Sequence, residues 1–138
     1  MPERDLFHDA VNNALVKDNW TITHDPLIIQ FGVVQMFVDL GAEKIIAAEK
    51  AGRKIAVEVK SFVSLSPISE FHTALGQFLN YQVALEEQQP ERTLYLAVPL
   101  DTYRAFFILP FTQAVVQRYR LKLIVYNVVE EVIVRWHE

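Results

Sequence analysis

The spacing of apolar residues along the chain predicts helices separated by short strands. Apolar side chains recur at helical spacing over 5–18 and 69–88, and shorter helices are expected over 102–107 and 111–119. Runs rich in β-forming residues predict strands over 20–23, 27–31, 33–40, 44–49, 54–62, 93–98, 122–126 and 131–136. This order favours an α/β fold in which a mixed β-sheet is flanked by helices.

Several residues mark where the helices are expected to begin. Asp5 and Ser69 are the predicted N-caps of the two long helices, because their side chains accept hydrogen bonds from a first helical turn. Asp101 is the predicted cap of the helix over 102–107, and Pro110 is expected to open the next helix. Three phenylalanines near that proline are expected to fill a core: Phe106, Phe107 and Phe111.

Ala51-Gly52 separates two of the β-rich runs and predicts a tight hairpin. Side chains alternate across a strand, so Ala56, Glu58 and Lys60 are expected on one face of the second strand. The isoleucine and valines between them are expected on the other face. Glu58 and Lys60 are therefore expected on the same side of the hairpin.

The register of this hairpin brings further carboxylates into consideration. A two-residue turn places Ile45 opposite Glu58 and Glu43 opposite Lys60. Asp39 has the same parity and lies just upstream, where a bend near Gly41 would turn it inward. The residues leave open which of the two acids faces the lysine.

Such a group of side chains suits divalent-metal chemistry. Two carboxylates and a backbone carbonyl form the hard oxygen site that Mg²⁺ takes beside phosphate. A nearby ammonium orients a nucleophile or stabilises developing negative charge. The spacing alone equally allows a solvated strand face, on which opposite charges contribute about 0.2–1 kcal/mol per pair.

Composition sets limits on the class of protein. The length of 138 residues fits one domain over 1–138, with 51% hydrophobic and 22% charged residues. The chain has no cysteine, which excludes thiolate metal sites and is compatible with a reducing cytosol. The charged N-terminus is unlike a signal peptide, and the apolar runs are too short to span a membrane. We therefore expect a cytoplasmic protein without membrane contacts.

The formal net charge of −4 bears on nucleic-acid binding. Proteins that hold nucleic acid through their overall field are usually basic. DNA binding here would need a local patch or a partner. The most basic local cluster consists of Arg118, Arg120 and Lys122, which suits either a phosphate contact or a solvated helix end.

The order of acid, hairpin, Glu-Val-Lys and amphipathic helix resembles the PD-(D/E)XK nuclease superfamily, whose fold is restriction-endonuclease-like. The resemblance implies that Glu58 and Lys60 are catalytic, with Asp39 or Glu43 as the upstream metal-binding acid, and Mg²⁺ or Mn²⁺ as cofactor. It also implies supporting roles for a second set of residues: Gln77, Tyr81 and, on the first helix, His8 or Asp9. The chain departs from the pattern because valine, not proline, precedes Asp39.

A closer resemblance, to the cyanobacterial XisH family, extends over almost the whole chain. It is carried by the segments 6–9, 19–27, 38–43, 56–62, 71–81 and 95–99. Members are named fdxN-element excision controlling factors, which implies a role in excising a DNA element during heterocyst development. The resemblance also implies a recombinase and a partner protein called XisI.

Two functions follow as hypotheses. The first is a metal-dependent nuclease that hydrolyses phosphodiester bonds in DNA. The second is a non-catalytic regulatory subunit that binds DNA or a partner protein in an excision complex. Homo-oligomerisation is a further expectation, because the apolar C-terminal strands include a potential sheet edge.

Overall fold

A computed structural model describes residues 6–32, 34–36 and 45–138. The helices of this part are α1 (Leu6–Lys17), α2 (Pro67–Gln88), α3 (Leu100–Thr102), a π-helical turn (Tyr103–Phe107) and α4 (Pro110–Arg118). Its strands are β1 (Thr21–His24), β2 (Ile29–Phe31), β3 (Val34–Met36), β4 (Ile45–Lys50), β5 (Arg53–Val59), β6 (Arg92–Pro99), β7 (Leu123–Asn127) and β8 (Val132–His137). The predicted order of helices and strands is confirmed.

Six of the strands in the described part form one mixed sheet in the order β1-β4-β5-β6-β7-β8. The central strands β5, β6 and β7 are parallel, and antiparallel pairs extend the sheet on both sides. Parallel neighbours need long crossovers, which α2 supplies between β5 and β6, and α3 with α4 between β6 and β7. This is the predicted helix-flanked mixed sheet, consistent with a restriction-endonuclease-like fold.

The sheet separates two apolar cores because side chains alternate along each strand. Helix α1 packs on one face, over a core that includes Ile46, Ile55, Val57, Val59 and Tyr95. Helix α2 packs on the other, over a core that includes Ala47, Ala56, Leu94, Leu96 and Phe107. The face of β5 that bears Ala56 therefore faces α2.

The β4–β5 hairpin has the predicted register. Ala51 and Gly52 form its turn with φ of 50° and 81°, and positive φ at both central positions is what a type I′ hairpin turn requires. Ile45 consequently pairs with Glu58. Glu43 and Asp39 lie outside the described residues, so their predicted places opposite or near Lys60 stay predictions.

The start of α2 corrects one prediction. Ser66, and not Ser69, is the N-cap, and its hydroxyl accepts a 3.3 Å hydrogen bond from the Ser69 backbone N–H. Pro67 occupies the first helical turn, where its missing N–H costs nothing. The residue before the proline is therefore the one left to cap the helix.

Two predictions after β6 were also wrong. Asp101 does not cap a helix, because β6 runs directly into α3 and places Asp101 inside its first turn. Phe106 and Phe107 are buried as expected, but Phe111 is 56% exposed. Pro110 restarts the helix in a direction that turns the following phenylalanine outward.

Candidate active site

The candidate site lies at the carboxyl end of β5. Glu58 is 1% exposed and Lys60 is 9% exposed. Backbone hydrogen bonds hold the strand end, because the Lys60 N–H donates to the Ala97 carbonyl at 3.1 Å and its carbonyl accepts from the Tyr126 hydroxyl at 3.4 Å. The solvated-strand interpretation is therefore excluded.

Lys60 joins the strand to helix α2. Its Nζ donates a 2.6 Å hydrogen bond to Oε1 of Gln77 and lies 3.7 Å from Oε2 of Glu58. Tyr81 follows Gln77 by one helical turn and is buried in the core between α2 and the sheet. The structure thus brings together Glu58, Lys60 and Gln77, three of the residues predicted from the sequence.

The burial of this ion pair is costly. Removing a carboxylate and an ammonium from water costs several kcal/mol per ion, which their attraction offsets only with good geometry and further hydrogen bonds. An apolar residue in place of Glu58 would continue the core that Ala56 begins. A charged pair kept at such a position marks a candidate functional site.

The donor set fits a hard divalent cation in part. The Glu58 carboxylate is a suitable ligand for Mg²⁺ or Mn²⁺. Within residues 6–32, 34–36 and 45–138, no group of three or more His, Asp or Glu side chains is placed to hold a metal. The two acids predicted from the sequence as the second ligand, Asp39 and Glu43, lie outside the described residues.

The first helix supplies a different pair. His8 Nε2 lies 2.8 Å from Oδ1 of Asp25, and the Asn12 side chain donates to the same carboxylate at 3.1 Å. Helix α1 packs on the sheet face opposite the one that bears Glu58. Asp9 also lies on this helix. The supporting roles predicted for His8 and Asp9 at the metal stay predictions. Sequence reasoning missed Asp25 as the partner of His8, because nothing in its spacing signals the contact.

Comparison with known proteins places the chain in a family. A family model described as XisH protein matches residues 1–134. The chain belongs to the XisH family. Among solved structures, an XisH family protein from Nostoc punctiforme PCC 73102 is 53% identical, with a TM-score of 0.90 over 97% of this chain and 100% of that one.

A second solved relative of this XisH-family chain is an fdxN element excision controlling factor protein from Anabaena variabilis. It is also 53% identical, with a TM-score of 0.90 over 98% of this chain and 100% of that one. No curated protein matches the chain. The resemblance to the XisH family stated from the sequence is confirmed, and the shared fold extends over almost all of the chain.

One further property of the described part concerns membranes. None of its helices combines the length and the apolar character that crossing a bilayer requires.

Proposed function

We propose that this XisH-family chain hydrolyses phosphodiester bonds of DNA, with Mg²⁺ or Mn²⁺, in the excision of a DNA element. The observation that carries the proposal is the buried Glu58 carboxylate beside a lysine whose ammonium is fixed by Gln77. The name of the Anabaena variabilis relative, an fdxN element excision controlling factor, supports the biological setting.

Each residue has a distinct task in this proposal. Glu58, with Asp39 or Glu43, would hold the metal, which when bound polarises the phosphodiester and lowers the pKa of a bound water. Lys60 stabilises the negative charge that develops as water adds to phosphorus and a P–O ester bond breaks. Gln77 keeps the ammonium beside Glu58 by accepting its hydrogen bond. Tyr81 supports this segment of α2 from within the core.

A nuclease assay tests the proposal directly. Pure protein would be incubated with single-stranded and double-stranded DNA, and with RNA, in the presence of Mg²⁺, Mn²⁺ or a chelator. We expect metal-dependent cleavage that Glu58→Ala and Lys60→Ala abolish.

A matched control comes from the β4–β5 hairpin. Glu49 and Lys54 form a partly exposed pair with 4.0 Å between charged atoms, so Glu49→Ala and Lys54→Ala remove the same charges away from the site. Cleavage that survives Glu58→Ala and Lys60→Ala would identify a contaminating nuclease and refute the proposal.

A non-catalytic regulatory role is the second candidate, and two observations favour it. The net charge of −4 opposes DNA binding by the chain's overall field, and the Anabaena variabilis relative is named a controlling factor. A partner of the XisI type would then complete the DNA-binding surface. Co-purification with XisI and no cleavage by the isolated chain are the results expected of this role. Robust cleavage without any complex would contradict it.

Self-association is proposed through β8, which ends the described sheet. Val134 on this strand is 48% exposed, and a sheet edge presents unpaired backbone groups. Light scattering across a concentration series measures the oligomeric state. A monomer at every concentration would refute an oligomer.

A further inference from the structure

A pocket of about 370 Å³ lies near the amino-terminal end of β6. Strand pairing places Arg92 beside Lys54, whereas Glu58 pairs with Leu96. Four residues along a strand correspond to about 13 Å, so Arg92 lies well away from Glu58. Glu58, Lys60 and Gln77 do not line the pocket, which is therefore distinct from the candidate active site. The lining residues that matter here are Phe78, Glu86, Arg92, Tyr119, Arg120 and Lys122.

Arg92 carries a buried charge that lacks a counter-ion among the described residues. It is 7% exposed. Its Nε donates to Oε1 of Gln89 at 2.8 Å, and a terminal nitrogen donates to the Ile55 carbonyl at 2.9 Å. Both acceptors are neutral, and they use two of the five N–H donors of a guanidinium. A buried charge without a paired charge is costly, so the pocket favours an anion.

The rest of the lining adds to the positive charge. Arg120 and Lys122 join Arg92, and the carboxylate among the described lining residues is that of Glu86. Glu86 accepts a 3.1 Å hydrogen bond from Gln82. Three cationic side chains against one carboxylate give the lining a charge of +2, whereas the whole chain has a net charge of −4.

The backbone conformation at the end of α4 determines the positions of Arg120 and Lys122. Arg120 has a φ of 53°, and the next residue, Leu121, donates its N–H to the Val116 carbonyl at 3.0 Å. This is the left-handed helix end that glycine usually occupies. The Lys122 carbonyl then accepts from the Leu96 N–H at 2.8 Å, which fixes that residue beside β6.

We propose that this pocket binds the phosphoryl group of a nucleotide. Guanidinium groups match phosphate oxygens in pairs of hydrogen bonds, and the pocket volume lies at the small end of ligand sites. Tyr119, which is 48% exposed, supplies an aromatic side for a base. The phosphate belongs either to a free nucleotide or to one residue of a single strand, and both present the same chemistry.

Isothermal titration calorimetry on the full chain tests this inference. The probes are inorganic phosphate, adenosine monophosphate and a short single-stranded DNA, each without divalent metal. We expect at least one phosphate compound to bind and inorganic phosphate to compete with it. Preference for the monophosphate or for the strand identifies the source of the phosphate.

Arg120→Gly and Lys122→Ala are the informative variants. Glycine suits the left-handed position of Arg120, so this variant keeps the fold while it removes a charge. Each variant is expected to weaken binding about tenfold, which is the scale of one hydrogen bond to a charged group. Arg118→Ala removes a neighbouring charge that does not line the pocket and should leave binding unchanged.

Three outcomes would overturn the inference. They are no binding of any probe, undiminished binding by Arg120→Gly and Lys122→Ala together, and an equal loss in Arg118→Ala. The nuclease proposal is tested separately, because these variants leave Glu58 and Lys60 intact and the titrations contain no metal.

Discussion

Nζ of Lys60 and Oε1 of Gln77 are 2.6 Å apart, although the lysine follows a strand and the glutamine lies on a helix 17 residues later. The contact fixes the ammonium beside Glu58 instead of leaving it to extend into solvent. Among the described residues, Lys60 is the only cation within ion-pair distance of Glu58. Helix α2 therefore does more than cover the sheet, because its Gln77 sets the position of that cation.

Gln77→Ala should lower both activity and stability. Loss of a hydrogen bond to a charged group costs about 1.5–3 kcal/mol of unfolding free energy. A displaced Lys60 ammonium should also lower the proposed nuclease activity by up to about 100-fold. Urea unfolding and the nuclease assay measure the two effects. Gln82→Ala, on the same helix, removes an exposed bond to Glu86 and should change stability by less than about 0.5 kcal/mol. Equal effects in both variants would contradict the assigned role of Gln77.

Replacing Glu58 and Lys60 together should lower the unfolding free energy less than the single variants suggest. Lys60→Met leaves the buried Glu58 carboxylate without that cation, at a cost of about 3–5 kcal/mol. Glu58→Leu with Lys60→Met removes both charges and should recover most of that loss, since apolar replacements of buried ion pairs are often neutral. Urea unfolding of both single variants and the double variant measures the coupling. A double variant as unstable as the sum of its singles would show no coupling between the two charges and would contradict this prediction.

Tyr95 should titrate far above an ordinary tyrosine. Burial, and then the hydrogen bond that its hydroxyl donates to the Glu138 carboxylate, raise the pKa of Tyr95 to about 12 from 10.0. A pKa raised in the folded state contributes stability that is full below pH about 10 and is lost as pH rises through about 12. Absorbance of phenolate against pH measures the titration.

Two variants separate the causes of that shift. Tyr95→Phe should remove the pH-dependent stability that this group contributes between pH about 10 and 12, which amounts to at most roughly 3 kcal/mol. Glu138→Gln should lower the pKa of Tyr95, because the hydrogen bond and the charge of Glu138 both raise it. A phenol that titrates at its ordinary pKa in the folded wild type would refute the prediction.

Ser66 and Ser69 should respond differently to alanine. Ser66→Ala removes the N-cap of α2 and should lower the unfolding free energy by about 1 kcal/mol. Ser69→Ala keeps the backbone N–H that donates to the cap, so its effect should stay within about 0.5 kcal/mol. Thermal or urea unfolding compares them, and a larger loss in Ser69→Ala would be the contrary result.

Local rules predicted the hairpin and its faces well. The turn at Ala51-Gly52 set the pairing of Ile45 with Glu58, and alternation placed Glu58 and Ala56 on one face. Both depend on residues close in sequence, whose geometry a short-range pattern specifies. The family followed from short segments spread over the whole chain.

The same local rules could not predict that the site is buried. Glu58 is buried because β6 pairs in parallel beside β5 and α2 crosses the face, and neither contact is visible in the local pattern. The contact of His8 with Asp25 and the buried charge of Arg92 are also long-range results of the fold. The cap at Ser66 was missed for a local reason, namely that the proline after it was assigned to the loop.

The hairpin turn has a consequence for how the site can evolve. Because Ala51 and Gly52 alone connect β4 to β5, one inserted residue would shift β4 against β5 and exchange the side chains that meet Glu58. A substitution on either strand changes one cross-strand contact, whereas an insertion in the turn would change every side-chain pair between β4 and β5 at once. The length of this two-residue turn thus determines which side chains lie opposite Glu58 at the far end of the hairpin.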